Sequence, residues 1–182
     1  MMPYINDVPI SCINQAAVMA RVPATLIISI LKTEGGKVGM VNRNTNGTYD
    51  YGPMQINSIW ENTINKAGFT LSDIQYNPCI NVAIGAYILS RNIKENPSVW
   101  TGVGNYHSHT DSKNFIYHQK VSRIYFALNE YLNEKSKKVK KCNEIFCDKK
   151  SSLLKRRIQD VSTCNMSVFV RKDVACKINL WL

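Results

Sequence analysis

ILKTEGGKVGMVNRNTNGTYDYGPMQIN (residues 30–57) sets one carboxylate, Glu34, between an apolar run and a double glycine. Upstream, PATLIISILKT reads as a helix from Pro23 to about Thr33. Proline suits the first turn, where its missing N–H would have no partner. Leu26, Ile27, Ile30 and Leu31 recur at helical spacing and form the buried stripe. Gly35-Gly36 ends the helix. Glu34 therefore falls at a helix C-terminus, where the macrodipole disfavours negative charge. With partial shielding from water, such a carboxyl stays protonated to higher pH. A neutral acid near pH 7 is what general-acid cleavage of a glycosidic bond uses. Taken by itself, Glu34 reads more simply as a solvated acid at a frayed helix end, because glutamates are mostly exposed.

The residues after it change that reading. NRNTNGTYDYG is dense in Asn, Gly and Thr, and Asn46-Gly47 is a turn signal between two short strands, with Thr48-Tyr49-Asp50-Tyr51 as one of them. Amides, hydroxyls and aromatic rings thus lie close after the acid. Amides bond sugar hydroxyls and N-acetyl groups, and rings stack on sugar faces. VWTGVGNYHSH supplies a second such cluster around Asn105 and Tyr106.

Further out, the pattern is helical. SCINQAAVMA (residues 11–20) reads as a first helix capped by Ser11, with Ile13, Ala16, Ala17 and Ala20 on one face. MQINSIWENTINKAG is expected to be helical, with Gly68 as its stop. NPCINVAIGAYILSRNIKEN is a helix with Pro78 in its first turn and Ile80, Ala83, Ile84, Tyr87 and Ile88 as its packing face. PSVWTGVGNYHS is a short helix. SKNFIYHQKVSRIYFALNEYLNEKSKK is a long one, with Phe115, Val121, Ile124, Tyr125, Leu128 and Leu132 inward. A charged linker follows, then a helix near 151–161 and a short strand at 167–171. Helices of this number can bury a core and leave a groove between them for a ligand.

The chain has 182 residues, room for one compact domain and a small appendage. Of its net charge of +10, almost all lies from Lys135 to the end, where 13 Lys and Arg face 4 Asp and Glu. We therefore expect a nearly neutral domain over 1–134 and a basic extension over 135–182. No apolar run reaches the roughly 20 residues of a bilayer-spanning helix. Met1 to Ser11 lacks the charged and apolar regions of a signal peptide, so the chain is either cytosolic or a mature form whose leader has been removed. The six cysteines, Cys12, Cys79, Cys142, Cys147, Cys164 and Cys176, show no CxxC spacing and do not resemble a zinc site. Disulfides in an oxidising compartment are the favoured reading, with the pairing open.

Taken together, these segments resemble the lysozyme-like lytic transglycosylases of the soluble-lytic-transglycosylase catalytic domain. The resemblance is nearest to the small members that accompany type IV secretion, conjugation, type III secretion and type IV pilus systems. It rests on Thr33-Glu34-Gly35-Gly36, on Asn44 to Asn57 (NTNGTYDYGPMQIN), on Asn77-Pro78-Cys79 with the early Cys12, and on Gly104-Asn105-Tyr106-His107, and it covers roughly residues 10–130. It implies a mainly α fold of the α+β lysozyme-like kind, with a small irregular or β region beside the active-site groove. It implies that Glu34 is the single catalytic acid, then base, acting between N-acetylmuramic acid and N-acetylglucosamine. The substrate's N-acetyl group and its own 6-hydroxyl attack in turn, leaving a 1,6-anhydromuramoyl end, and no cofactor is needed. Met54, Gln55, Asn57, Asn105 and Tyr51 would line the groove or bind substrate, and Tyr106 would bond Glu34 or the substrate. Asp50 is expected to be structural, satisfying its loop. Cys12 and Cys79 would pair, and the protein would work in the periplasm or otherwise outside the cytoplasm.

The sequence departs from that pattern at Pro53, where Leu is common, and at His107-Ser108-His109, which replace the usual ending. His107 and His109 suggest no third ligand and read as loop histidines rather than a metal pair. The basic extension, with Cys142, Cys147, Cys164 and Cys176, reads as a small stapled module or a charged tail. Its charge would suit anionic peptidoglycan or an acidic component of a secretion machine; specific nucleic-acid binding is not expected. Two other functions fit the same residues: a lysozyme-type hydrolase, and a non-catalytic glycan-binding assembly protein.

Overall fold

The structure is a computed structural model that describes residues 3–147. It is mainly helical with a small antiparallel sheet, the α+β arrangement expected. The expected helix near 151–161, the strand at 167–171, and Cys164 and Cys176 lie outside the described residues.

A two-residue hairpin, β1 (Tyr4–Ile5) and β2 (Val8–Pro9), leads straight into α1 (Ile10–Ala20). Its turn places Asn6 and Asp7 in the left-handed region, with φ of 50° and 64°. The hairpin delivers the chain to the helix, so Pro9 rather than Ser11 occupies the cap. α2 (Ala24–Glu34) buries Leu26, Ile27, Ile30 and Leu31, the expected stripe. Full burial of one such side chain contributes about 1.5–3 kcal/mol.

The three-stranded sheet runs β3 (Val41–Arg43), β4 (Tyr49–Tyr51) and β5 (Ile56–Asn57), antiparallel throughout. Met54 to Asn57 is therefore not helical as expected. Gln55 takes φ of 50°, Ile56 and Asn57 pair with β4, and the Asn57 side chain caps a 3₁₀ turn at Ser58–Trp60. Helix resumes only with α3 (Glu61–Lys66), before Gly68, and α4 (Leu71–Tyr76), which opens on a Thr70/Asp73 capping box.

α5 (Pro78–Lys94) is the central helix, packed against α1, α4 and α6 (Val99–His107). A disulfide joins Cys12 on α1 to Cys79 on α5. α5 buries Val82, Ile84, Ala86, Ile88 and Leu89, while Tyr87, expected inward, is exposed. Asn81 is fully buried on the same helix.

α7 (Asp111–Cys147) runs on through the segment expected to be a charged linker, and Cys142 and Cys147 fall on it. Its first part belongs to the compact unit that ends at Leu128; the rest belongs to the next. The helix faces inward along Asn114, Tyr117 and Val121, while Phe115 and Leu132, expected inside, are exposed. Among the described residues no single helix is long and apolar enough to cross a membrane.

Candidate active site

Glu34 is the last residue of α2. Gly35 follows at φ of 66°, and its N–H donates to Leu31 O at 3.0 Å. The Asn6 side-chain amide donates to the same carbonyl at 2.6 Å, so the hairpin helps close the helix end. Gly36 answers a different need. A Cβ there would lie 2.2 Å from Gly52 O and 2.9 Å from Pro53 O, so only glycine lets the loop come this close behind the acid.

Two buried asparagines hold the walls. The Asn81 amide donates to Tyr51 O (3.0 Å) and Ile74 O (2.8 Å), and its carbonyl accepts from Met54 N (2.9 Å). It ties the 51–54 loop to α4 and α5. Asn114 on α7 donates to Thr101 O (3.0 Å) and Asn105 Oδ1 (2.7 Å), fixing α7 against α6. One turn later, the Tyr117 hydroxyl donates to Glu34 Oε1 at 2.5 Å.

Burial pushes the Glu34 pKa from 4.5 up to about 7; the Tyr117 hydrogen bond opposes the rise and the charge of Asp50 adds to it. The largest cause is loss of water, the shielding that the sequence reading sets beside the helix dipole. Burial also holds the Tyr106 and Tyr117 phenols well above their ordinary value, so both remain protonated donors. The His107 ring stacks on Tyr117, with centroids 4.8 Å apart and planes 6° from parallel. Burial lowers the His107 pKa, Asp50 raises it, and Lys113 and Lys120 lower it further.

A cleft of about 210 Å³ opens at Glu34, lined also by Thr33, His107, Lys113, Tyr117 and Lys120. The other residues expected at the site make the following contacts. Met54 is fully buried, so its side chain packs in the core rather than along the groove. The Tyr106 hydroxyl donates to Met54 O at 3.0 Å; the phenol on Glu34 is Tyr117 instead. Asn105 donates to Asn96 Oδ1, in the turn after α5, at 3.0 Å and accepts from Asn114 on α7. Gln55 donates to Gly52 O (2.8 Å) and accepts from Asn42 (2.6 Å). Asp50 accepts from Asn44 (2.9 Å) on one oxygen and Asn57 (2.7 Å) on the other. The carbonyl of Tyr51 is held by Asn81 and its ring lies 6.5 Å from that of Tyr49. Among the described residues no cluster of three His, Cys, Asp or Glu could hold a metal ion.

Sequence reasoning missed Tyr117, Asn81 and Asn114. The signal for two of them was present: Asn114, Tyr117 and Val121 follow 3-then-4 helical spacing, one face over from the more apolar Phe115.

Chemically, the arrangement offers one carboxyl poised between its two protonation states, one phenol on it and an open cleft beside it. A family model described as the transglycosylase SLT domain matches residues 11–123. Invasion protein IagB of Salmonella typhi is 32% identical over 139 residues, covering 74% of this chain and 87% of that protein. A peptidoglycan-binding-like protein of Escherichia coli O157:H7 is 30% identical over 138 residues, covering 69% and 83%. Protein IpgF of Shigella flexneri is 29% identical over 121 residues, covering 66% and 76%.

Proposed function

This chain belongs to the transglycosylase SLT domain family, and on that premise we propose that Glu34 is the single acid, then base, with which it acts as a peptidoglycan lytic transglycosylase. The observation that carries this reading is a buried carboxyl pushed up to about pKa 7 at the mouth of a cleft. Near neutrality such a group is partly protonated and can give its proton to the bridging oxygen between N-acetylmuramic acid and N-acetylglucosamine. The C1–O bond breaks as the muramic acid's own N-acetyl oxygen bonds C1. The 6-hydroxyl then displaces that oxygen at C1 and gives its proton to the Glu34 carboxylate. The acid is restored, no water is consumed, and a 1,6-anhydro end remains.

Tyr117 keeps one Glu34 oxygen oriented, which leaves the other for the substrate. Asp50 has both oxygens engaged by loop amides, and this supports a structural part for it rather than a nucleophilic one. The site acts outside the cytoplasm, where peptidoglycan lies. The finer setting we infer is the periplasm, during local opening of the wall for a secretion, conjugation or pilus apparatus. Similarity to a protein named for invasion supports that setting.

Mass spectrometry of soluble products from purified peptidoglycan tests the reading. Anhydromuropeptides are expected from the native protein and none from Glu34→Gln. Reducing-end products would mean a hydrolase and would return attention to Asp50.

A further inference from the structure

The function above uses Glu34 and Tyr117 but leaves two cations in the same cleft unexplained. Lys113 and Lys120 both line it, although seven residues separate them. Two helical turns set them about 10 Å apart along one face of α7, with Tyr117 between them. Exposed lysines on a helix usually face only solvent. These two instead converge on the cleft, and both act electrostatically on the His107 ring. Among the described residues neither is paired with a carboxylate; the ion pairs there are Arg91–Glu95 and Lys137–Glu134. Protonated Glu34 does not cancel their charge, so the cleft is cationic when it is ready to donate a proton.

Muramic acid carries its branch at C3, two carbons from the C1 at which the chain is cut. An acid that reaches the scissile oxygen therefore lies within one sugar's width of that branch. The branch carries carboxylates: those of the stem peptide or, on stripped strands, the lactyl group itself. We propose that Lys113 and Lys120 form an anion subsite beside Glu34 that binds a carboxylate on the muramic acid branch, so that the site selects strands by the charge of that branch. The subsite rests on the transglycosylase reading for its substrate, but its binding is measurable without turnover.

The binding experiment uses the full chain carrying Glu34→Gln, sedimented with intact sacculi and with sacculi whose peptide carboxylates have been converted to amides. Exposed ion pairs are weak, so Lys113→Gln/Lys120→Gln is expected to lower binding to intact sacculi by about five- to twentyfold. It is expected to bring the intact-to-amidated ratio close to one. Lys137→Gln/Lys138→Gln removes the same charge outside the cleft and is the control. Equal losses in the two pairs, or an intact-to-amidated ratio near one before any lysine is changed, would overturn the subsite. Turnover by the chain with Glu34 intact then identifies the source of the carboxylate. A rate that depends on the two lysines on peptide-stripped strands as well shows that the free lactyl carboxylate also occupies the subsite; dependence on peptide-bearing strands only assigns the stem. If no anhydro product forms from any substrate, the transglycosylase reading fails, while the sedimentation result still decides the subsite.

Discussion

Glu34 and Asp50 are two carboxylates close enough to act on one another, yet they are surrounded in opposite ways. Glu34 accepts one hydrogen bond, from Tyr117, and protein atoms displace most of its water. Asp50 accepts from the side chains of Asn44 and Asn57, one on each oxygen, and so knits β4 to the turn before it and to β5. A carboxyl that must release a proton near neutrality needs few donors, because each donor favours the charged form. A carboxylate that must hold a loop needs many. The same functional group is thus set to two tasks by its surroundings: loss of water around Glu34, and side-chain amides that hold both oxygens of Asp50.

The most severe way to break this comparison is to neutralise each acid in turn. Glu34→Gln is expected to cost about 10²–10⁴ in rate, the range for a lost general acid, with folding retained. Asp50→Asn should act chiefly on stability. It leaves at least one of the Asn44 and Asn57 amides without its acceptor, at about 1–3 kcal/mol. Urea unfolding and turnover on the folded fraction separate the two effects. A folded Asp50→Asn protein as inactive as Glu34→Gln would make Asp50 a participant in the chemistry.

Stability against pH gives the next largest effect. The Glu34 pKa is about 7 in the fold against an ordinary 4.5, so the fold favours the neutral form. That stabilisation is full below pH 4.5 and is lost as pH rises through about 7. Glutamine cannot ionise and escapes the loss. Glu34→Gln should therefore gain on the native protein between pH 4 and pH 8 by up to about 3 kcal/mol, an upper bound because the cleft admits water. Unfolding curves at the two pH values check it, and a gain that runs the other way would mean Glu34 is stabilised as a charge.

The smallest effect sharpens the comparison rather than breaking it. Tyr117 opposes the rise in the Glu34 pKa. Tyr117→Phe should therefore move the Glu34 limb of the pH–rate profile to higher pH, with a rate loss of about two- to tenfold from one hydrogen bond. A limb that stays in place would show that the phenol orients the acid without tuning it.

The part of the site nearest Glu34 in sequence was legible, because each step there is local. Helical spacing gave the α2 stripe, and Gly35 marked its end. Asn46-Gly47 gave the turn between β3 and β4. The register of Met54 to Asn57 was not legible. Met54 and Ile56 are both buried at the two-residue spacing of a strand, but two positions are too few to set a period. What decided it was a left-handed Gln55 and the side-chain cap from Asn57, neither of which periodicity reports. α7 failed for another reason. Ranking by hydrophobicity chose Phe115, whereas the helix is turned by the amide of Asn114 reaching Thr101 and Asn105. That rotation sets Tyr117 on Glu34 and Lys113 and Lys120 in the cleft. Asn114 shows in sequence only through its spacing from Tyr117 and Val121, and Asn81, which satisfies backbone groups of other elements, becomes visible only in three dimensions.

The contrast between the two acids is tested most directly by titrating Glu34 itself. Carbon-detected NMR of side-chain-labelled glutamate, with the signal assigned by its absence in Glu34→Gln, follows that carboxyl through its transition. A midpoint near 7 is expected. A midpoint near the ordinary 4.5 would mean that Glu34 is ionised at neutral pH and has no proton to give.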